Sequence, residues 1–159
     1  PLLLLFTLSL CGQQSKVQSA YIYHFTKYME WPVDKQTGDF VIGVIGDSPI
    51  IPHLRTLASS KMAGMQKIVI KEFSSVTEVS NCHMLFLSQK KSSEFSSVIA
   101  KAKEIHALVI TAKGGYAKKG SGINFVISEG KSRFEINEAS IGKSDIKVSA
   151  KLVQMAIKI

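Results

Sequence analysis

The sequence predicts an α/β domain: a mostly parallel sheet flanked by helices in Rossmann-like layering, finished by a C-terminal β-hairpin and a closing helix. Three observations predict it. Short runs that are apolar on both faces, as in strands covered on both sides, alternate with stretches of helical period. Near the C-terminus a two-residue turn ending in glycine joins two alternating runs. The 159 residues, 45% hydrophobic and 20% charged, suit a single core, since a chain of about 150 residues hides roughly 70% of its unfolded surface. The same composition excludes a disordered or collagen-like chain.

Residues 1–12 read as the remnant of an export signal and residues 13–159 as one domain. Leu2 to Leu10 is apolar apart from Thr7 and Ser9, and Cys11-Gly12-Gln13-Gln14-Ser15 then turns small and polar, like a signal core and its cleavage region. The run is about ten residues long, and a bilayer core needs roughly 20. The chain opens on Pro1 with neither Met nor a basic segment, so the signal is expected to be truncated at its start. Leu8-Ser9-Leu10-Cys11 is close to a lipoprotein box, which makes a lipid-anchored form through Cys11 the lesser reading.

Ser15 is the expected N-cap of the first helix, whose Val17, Tyr21, Phe25 and Met29 recur every fourth residue beside Ile22 and Tyr28. Trp31-Pro32 ends it, with Trp31 plugging the space between helix and sheet. Phe40 to Ile45 is the first strand. Gly46-Asp47-Ser48-Pro49 opens the next helix, with Asp47 or Ser48 as cap and Ile50, Leu54, Leu57 and Ala58 on its buried side. Ile68-Val69-Ile70, Met84 to Leu87 and Ala107 to Ile110 are further strands, and Phe95, Val98, Ile99, Ala102 and Ile105 form a helical stripe between the last two. Right-handed crossovers make such strands parallel.

Ile123 to Ser128, Glu129-Gly130 and Lys131 to Ile136 form the hairpin, and the turn sets its register. Ser128 faces Lys131, so Phe125 faces Phe134 and Ile123 faces Ile136. On the other face Val126 meets Arg133 and Asn124 meets Glu135, which gathers Asn124, Arg133, Glu135 and Asn137 on one polar side. After Ile146 to Val148, a helix from Ser149 is expected to bury Leu152, Met155, Ala156 and Ile159.

Enzyme motifs find little support. Gly115-Tyr116-Ala117-Lys118-Lys119-Gly120 has phosphate-loop spacing, but Ser121-Gly122 stands where Lys-Ser/Thr is needed and a strand follows instead of a helix. Gly43-Val44-Ile45-Gly46 lacks the dinucleotide pattern, so Asp47 reads as a cap. His24, His53, His83 and His106 have no metal-ligand spacing. Cys82 and His83 are adjacent on a strand and point to opposite faces, which separates a nucleophile from its base; Cys82 is expected to be buried and inert. No catalytic residue, metal or cofactor is expected.

The net charge is +8, and 18 of the 20 cations are Lys. Residues 13–80 carry +1 of that charge and residues 81–159 carry +7. Lysine on an exported surface favours an acidic partner or membrane headgroups over nucleic acid, where Arg is preferred.

Five blocks in order, Tyr21 to Pro32, Ile42 to Pro49, Cys82 to Ser88, Gly122 to Val126 and Arg133 to Asn137, resemble the signature of the YfiR-like family from about Val17 to the C-terminus. The resemblance implies an exported, non-enzymatic α/β regulator. Characterised relatives act in the periplasm on the sensor region of a membrane-bound diguanylate cyclase, and similar domains accompany membrane histidine kinases. It also associates Glu135, Asn137 and Ile141 with partner contact, and Asn124 and Arg133 share that side of the hairpin. The structural alternative is an ion pair between Arg133 and Glu135, with Asn137 capping the next turn. Some relatives carry disulfides. With Cys11 removed only Cys82 remains, so no intramolecular disulfide is expected.

The expected function is regulation of a periplasmic cyclase or kinase domain, with a second copy of this chain as a further partner. The alternative is a periplasmic small-ligand sensor using a crevice at Gly46, Asp47, Lys113, Gly114 and Gly115, where open α/β sheets place ligands. A hydrolase built on Cys82 and His83 is a weaker third reading.

Overall fold

The computed structural model describes residues 2–159, and side-chain burial at Leu10 and from Gly12 onward. Chain order gives α1 (Leu2–Tyr28), β1 (Met29–Glu30), β2 (Phe40–Ile45), α2 (Ile50–Ser60), β3 (Met62–Ala63), β4 (Gln66–Phe73) and β5 (Met84–Leu87). Then come α3 (Phe95–Glu104), β6 (Leu108–Thr111), β7 (Ile123–Ser128), β8 (Lys131–Ile136), α4 (Glu138–Gly142), β9 (Lys147–Val148), α5 (Ala150–Met155) and β10 (Ile157–Lys158).

The main sheet has eight strands in the order β10-β8-β7-β6-β5-β2-β4-β3. β4, β2, β5, β6 and β7 run parallel. β8 returns antiparallel to β7, and β10 lies parallel to β8 at the edge. β2 sits between β4 and β5, so the chain order reverses at β2, the switch point where such sheets open a crevice beyond their strand ends. The unbroken apolar run Phe40 to Ile45 belongs in this central place because all six residues are buried.

Alternate residues feed two cores. Phe40, Ile42 and Val44 face α1, α2 and α5, in one cluster with Ile22, Phe25, Leu54 and Leu152. Val41 and Ile45 face α3, clustered with Phe95, Val98, Ala102 and Tyr116. Between them Gly43 leaves no space: an added Cβ would stand 2.8 Å from the Phe73 ring and 3.1 Å from Cys82 Sγ. α1 clamps the hairpin through rings, with Phe25 and Phe134 centroids 5.1 Å apart and Tyr21 and Phe134 5.2 Å apart.

Several boundaries differ from expectation. α1 does not start at a Ser15 cap but runs through it; the leucine-rich stretch before it is a good helix former, and one Gly costs only about 1 kcal/mol. Small Ser15 and Ser19 face inward, whereas Val17 is 42% exposed. The export-signal reading of residues 1–12 and the lipid anchor at Cys11 rest on Pro1 and on side chains outside the described residues. Among the described residues no helix is long and apolar enough to cross a membrane. Pro49 takes the N-cap position of α2, and Ser48 Oγ accepts from Ile50 N at 3.3 Å. The closing helix stops at Met155, because the chain turns back to add β10 beside β8; Met155 and Ile159 are exposed rather than buried.

Candidate functional site

The hairpin register is the expected one at every pair, Asn124 opposite Glu135 and Val126 opposite Arg133. Glu129 and Gly130 have φ of 53° and 72°. Two successive left-handed residues make the tight turn whose twist matches the strands, which is why the Glu-Gly pair fixes the register.

Asn124 is fully buried and polar, so it must be satisfied internally. Its Oδ1 accepts from Lys113 N at 3.1 Å and lies 2.7 Å from Thr111 Oγ1, which also touches Ser121 Oγ at 2.8 Å. Its Nδ2 donates to Glu135 Oε2 at 2.9 Å. The network runs from the buried end of β6 across β7 to Glu135, which is half-buried at the surface. Glu135 is therefore held in one orientation, with one carboxylate oxygen engaged. Its partner is Asn124 rather than Arg133, whose side chain is exposed.

The remaining residues associated with this surface divide. Asn137 caps α4, its Oδ1 accepting from Ser140 N at 3.0 Å while its Nδ2 donates to Ala117 O at 2.9 Å. Ile141 is 2% exposed and is a core side chain. Arg133 and Glu135 thus form the accessible part, and Asn124, Asn137 and Ile141 the scaffold behind it. Sequence reasoning missed Thr111 and Ser121, both buried; a Thr ending an apolar strand opposite an Asn was the available signal.

At the switch point, a cleft of about 300 Å³ collects Asp47 and Ser48 after β2, Ser88, Gln89 and Lys90 after β5, and Ala112 after β6, with Gln14, Ser15 and Gln18 of α1 as its wall. Ser88 Oγ donates to Asp47 O at 2.6 Å and Lys90 Nζ lies 3.0 Å from Asp47 Oδ2. Gly46 lies in a neighbouring recess with Phe73 and Lys91. Lys113, Gly114 and Gly115 are exposed on the following loop and do not line the cleft. The expected crevice is brought together at Asp47 but not at the glycine loop.

At the opposite end of the strands, Cys82 and His83 do point apart. Cys82 lies in the α3-side core beneath Gly43, and burial pushes its thiol up to about 11. His83 stacks on Phe40 at 4.3 Å. Val41 N donates to its Nδ1 at 3.1 Å, so the proton is on Nε2, which donates to Lys35 O at 2.7 Å. Burial lowers the His83 pKa, so the ring is neutral. Trp31 is the expected plug, 5% exposed, its indole donating to His83 O at 2.9 Å. Lys35 was not foreseen as buried: at 5% exposure its ammonium donates to the carbonyls of Cys82 and Ile105, and burial lowers its pKa to about 8. A lone Lys in a polar loop carries no sequence signal for that role.

Compared with known proteins, residues 15–157 match a family described as YfiR/HmsC-like. Comparison with curated proteins gives no match. Among solved structures the chain is similar to a crystal structure of an ABC domain in complex with L-Trp from Streptococcus pneumonia, with a TM-score of 0.56 at 9% identity. That likeness covers 76% of this chain and 54% of that one, and it shows the layered α/β fold alone.

Proposed function

Since the chain belongs to the YfiR/HmsC-like family, we propose that it is an exported, non-enzymatic regulator that binds the periplasmic sensor region of a membrane diguanylate cyclase or histidine kinase. The observation that carries this reading is the Thr111-Asn124-Glu135 network. Binding costs less when a contact residue is already held in place, and a surface carboxylate fixed by a fully buried amide is such a residue. Arg133 beside it supplies the opposite charge, so the patch can meet a mixed-charge partner surface. The chemistry at Cys82 and His83 supports the non-enzymatic part: a thiol pushed up to about 11 is a poor nucleophile, and the neighbouring imidazole is tied to two backbone groups away from it. The test is capture of the periplasmic sensor domains of the membrane diguanylate cyclases and histidine kinases of the same cell, by wild type and by Glu135→Lys with unchanged circular dichroism. Unchanged capture removes Glu135 from the contact.

A second reading, a small-ligand sensor, is favoured by the cleft of about 300 Å³ at the switch point, the size and place at which such sheets hold ligands. Thermal-shift screening separates the two, because a ligand bound in the cleft raises the melting temperature by mass action and Asp47→Ala lowers that gain.

A further inference from the structure

β10 pairs with β8 only at Glu135 and Ile136, which leaves Lys131 to Phe134 as the outermost strand at that side of the sheet. The direction of each backbone group there follows from alternation. Ile136 O accepts from Ile159 N at 3.2 Å and so faces β10, whereas Asn137 N donates to Gly122 O at 2.9 Å and faces β7. By the same alternation Lys131 and Arg133 bond towards β7, while Ser132 and Phe134 point outward. The parallel register of β10 engages the Phe134 carbonyl. The N–H and C=O of Ser132 and the N–H of Phe134 are left without a partner among the described residues.

Two side-chain observations on the same residues indicate what fits there. Lys131 and Arg133 are exposed on one face, roughly 7 Å apart at the strand repeat, and neither forms an ion pair among the described residues. The next acid along that face, Glu135, is engaged by Asn124. On the opposite face, between the two cations, the Ser132 hydroxyl is buried with no hydrogen-bond partner, the single such side-chain atom among the described residues. A buried hydroxyl is normally satisfied.

We propose that this edge takes an extended acidic protein segment as an added strand, with carboxylates at alternate positions and a hydroxyl residue between them. An added strand supplies the backbone partners that Ser132 and Phe134 lack. Its own same-face residues repeat at the spacing of Lys131 and Arg133, so two carboxylates meet two cations. A threonine between them comes opposite Ser132, where cross-strand hydroxyl pairs form. A second copy of this chain does not fit. Antiparallel self-pairing centred on Lys131, Ser132 or Arg133 sets like charges opposite each other. Centring it on Phe134 needs Glu135 and Ile136, whose edge β10 occupies. The inference stands on the edge alone and does not require the contact through Glu135.

The probe is a short capped peptide in which glutamate and threonine alternate, titrated into the isotope-labelled protein and followed by amide NMR, with the lysine–threonine peptide as control. The Ser132 and Phe134 amides should shift with the acidic peptide and gain protection from hydrogen exchange. Ser132→Pro removes an outward N–H where proline spares the β7 ladder. Lys131→Glu/Arg133→Glu reverses the charge at two exposed positions and carries the test if the proline variant does not fold. Each folded variant should bind the acidic peptide roughly tenfold more weakly or worse, and Lys67→Ala/Lys71→Ala, on β4 towards the far edge, should keep wild-type affinity. Absence of shifts on β8, an equal response to the lysine peptide, or wild-type affinity in the folded variants would overturn the proposal. So would a dimer of the peptide-free protein that Ser132→Pro dissolves, because the edge would then belong to a second copy.

Discussion

Asn124→Asp is the substitution that probes the hairpin network most sharply. The change is nearly isosteric, so one oxygen keeps the bonds from Lys113 N and Thr111 Oγ1. The other replaces the Nδ2 group that now donates to Glu135 Oε2 at 2.9 Å. A hydrogen bond to a charged acceptor is lost, about 1.5–3 kcal/mol. Two carboxylates then face each other, which at roughly 4 Å and an effective dielectric of about 20 costs about 4 kcal/mol unless one takes a proton. Because Glu135 is partly exposed, solvent screens much of the repulsion. The expected net loss at pH 7 is about 3 kcal/mol, a fall in melting temperature of roughly 6–12 °C. The sign with pH follows from linkage. Repulsion raises one folded-state carboxyl pKa above its unfolded value near 4, so the folded variant binds the extra proton and its stability falls as pH rises through that window. Urea denaturation at several pH values should therefore show the gap to wild type shrinking as pH is lowered from 7 towards 4. A variant as stable as wild type at pH 7, or a gap that widens in acid, would refute the assignment of Asn124 as the donor that holds Glu135.

His83 gives wild type its own acid sensitivity: the folded pKa lies below 6.5, so its stability contribution is present above about 6.5 and lost as pH falls further. Trp31, the single tryptophan, donates to the His83 carbonyl and should report the loss by its emission, with His83→Gln flattening the profile between pH 6.5 and 4; an unchanged profile would dismiss the histidine. Gly43→Ala should cost about 1–3 kcal/mol by urea midpoint, because its Cβ would meet the Phe73 ring at 2.8 Å in the centre of the sheet. A neutral result there would mean the two layers are looser than their contacts indicate.

The parts of the fold legible in the sequence are those fixed by local rules. β2, β5 and β6 stand where unbroken apolar runs stand, and the hairpin register follows from Glu129-Gly130 alone. What was not legible depends on tertiary packing. Apolarity selects Val17 for the inner face of α1, yet the sheet takes the small Ser15 and Ser19 there and leaves Val17 outside. Nothing in Ile157-Lys158 announces a strand, since its partner is the outer edge of β8. The site divides in the same way. Alternation placed Asn124 and Glu135 on one side of the hairpin, but only the packed structure shows Asn124 buried, Asn137 spent on capping α4 and Ile141 in the core. The burial of Lys35 depends on carbonyls of Cys82 and Ile105, which are remote from it in sequence.

The central claim, that a rigidly held Glu135 is the contact through which this chain regulates a membrane signalling protein, is tested most directly by surface plasmon resonance. The periplasmic sensor domains of the membrane diguanylate cyclases and histidine kinases of the same cell are passed in turn over immobilised wild type, Glu135→Lys and Lys67→Ala/Lys71→Ala. The account predicts nanomolar-to-micromolar binding by wild type and the sheet-edge control, and a loss of roughly 10- to 100-fold for Glu135→Lys. Equal affinity of all three, or no binding by a folded wild-type protein, would contradict it.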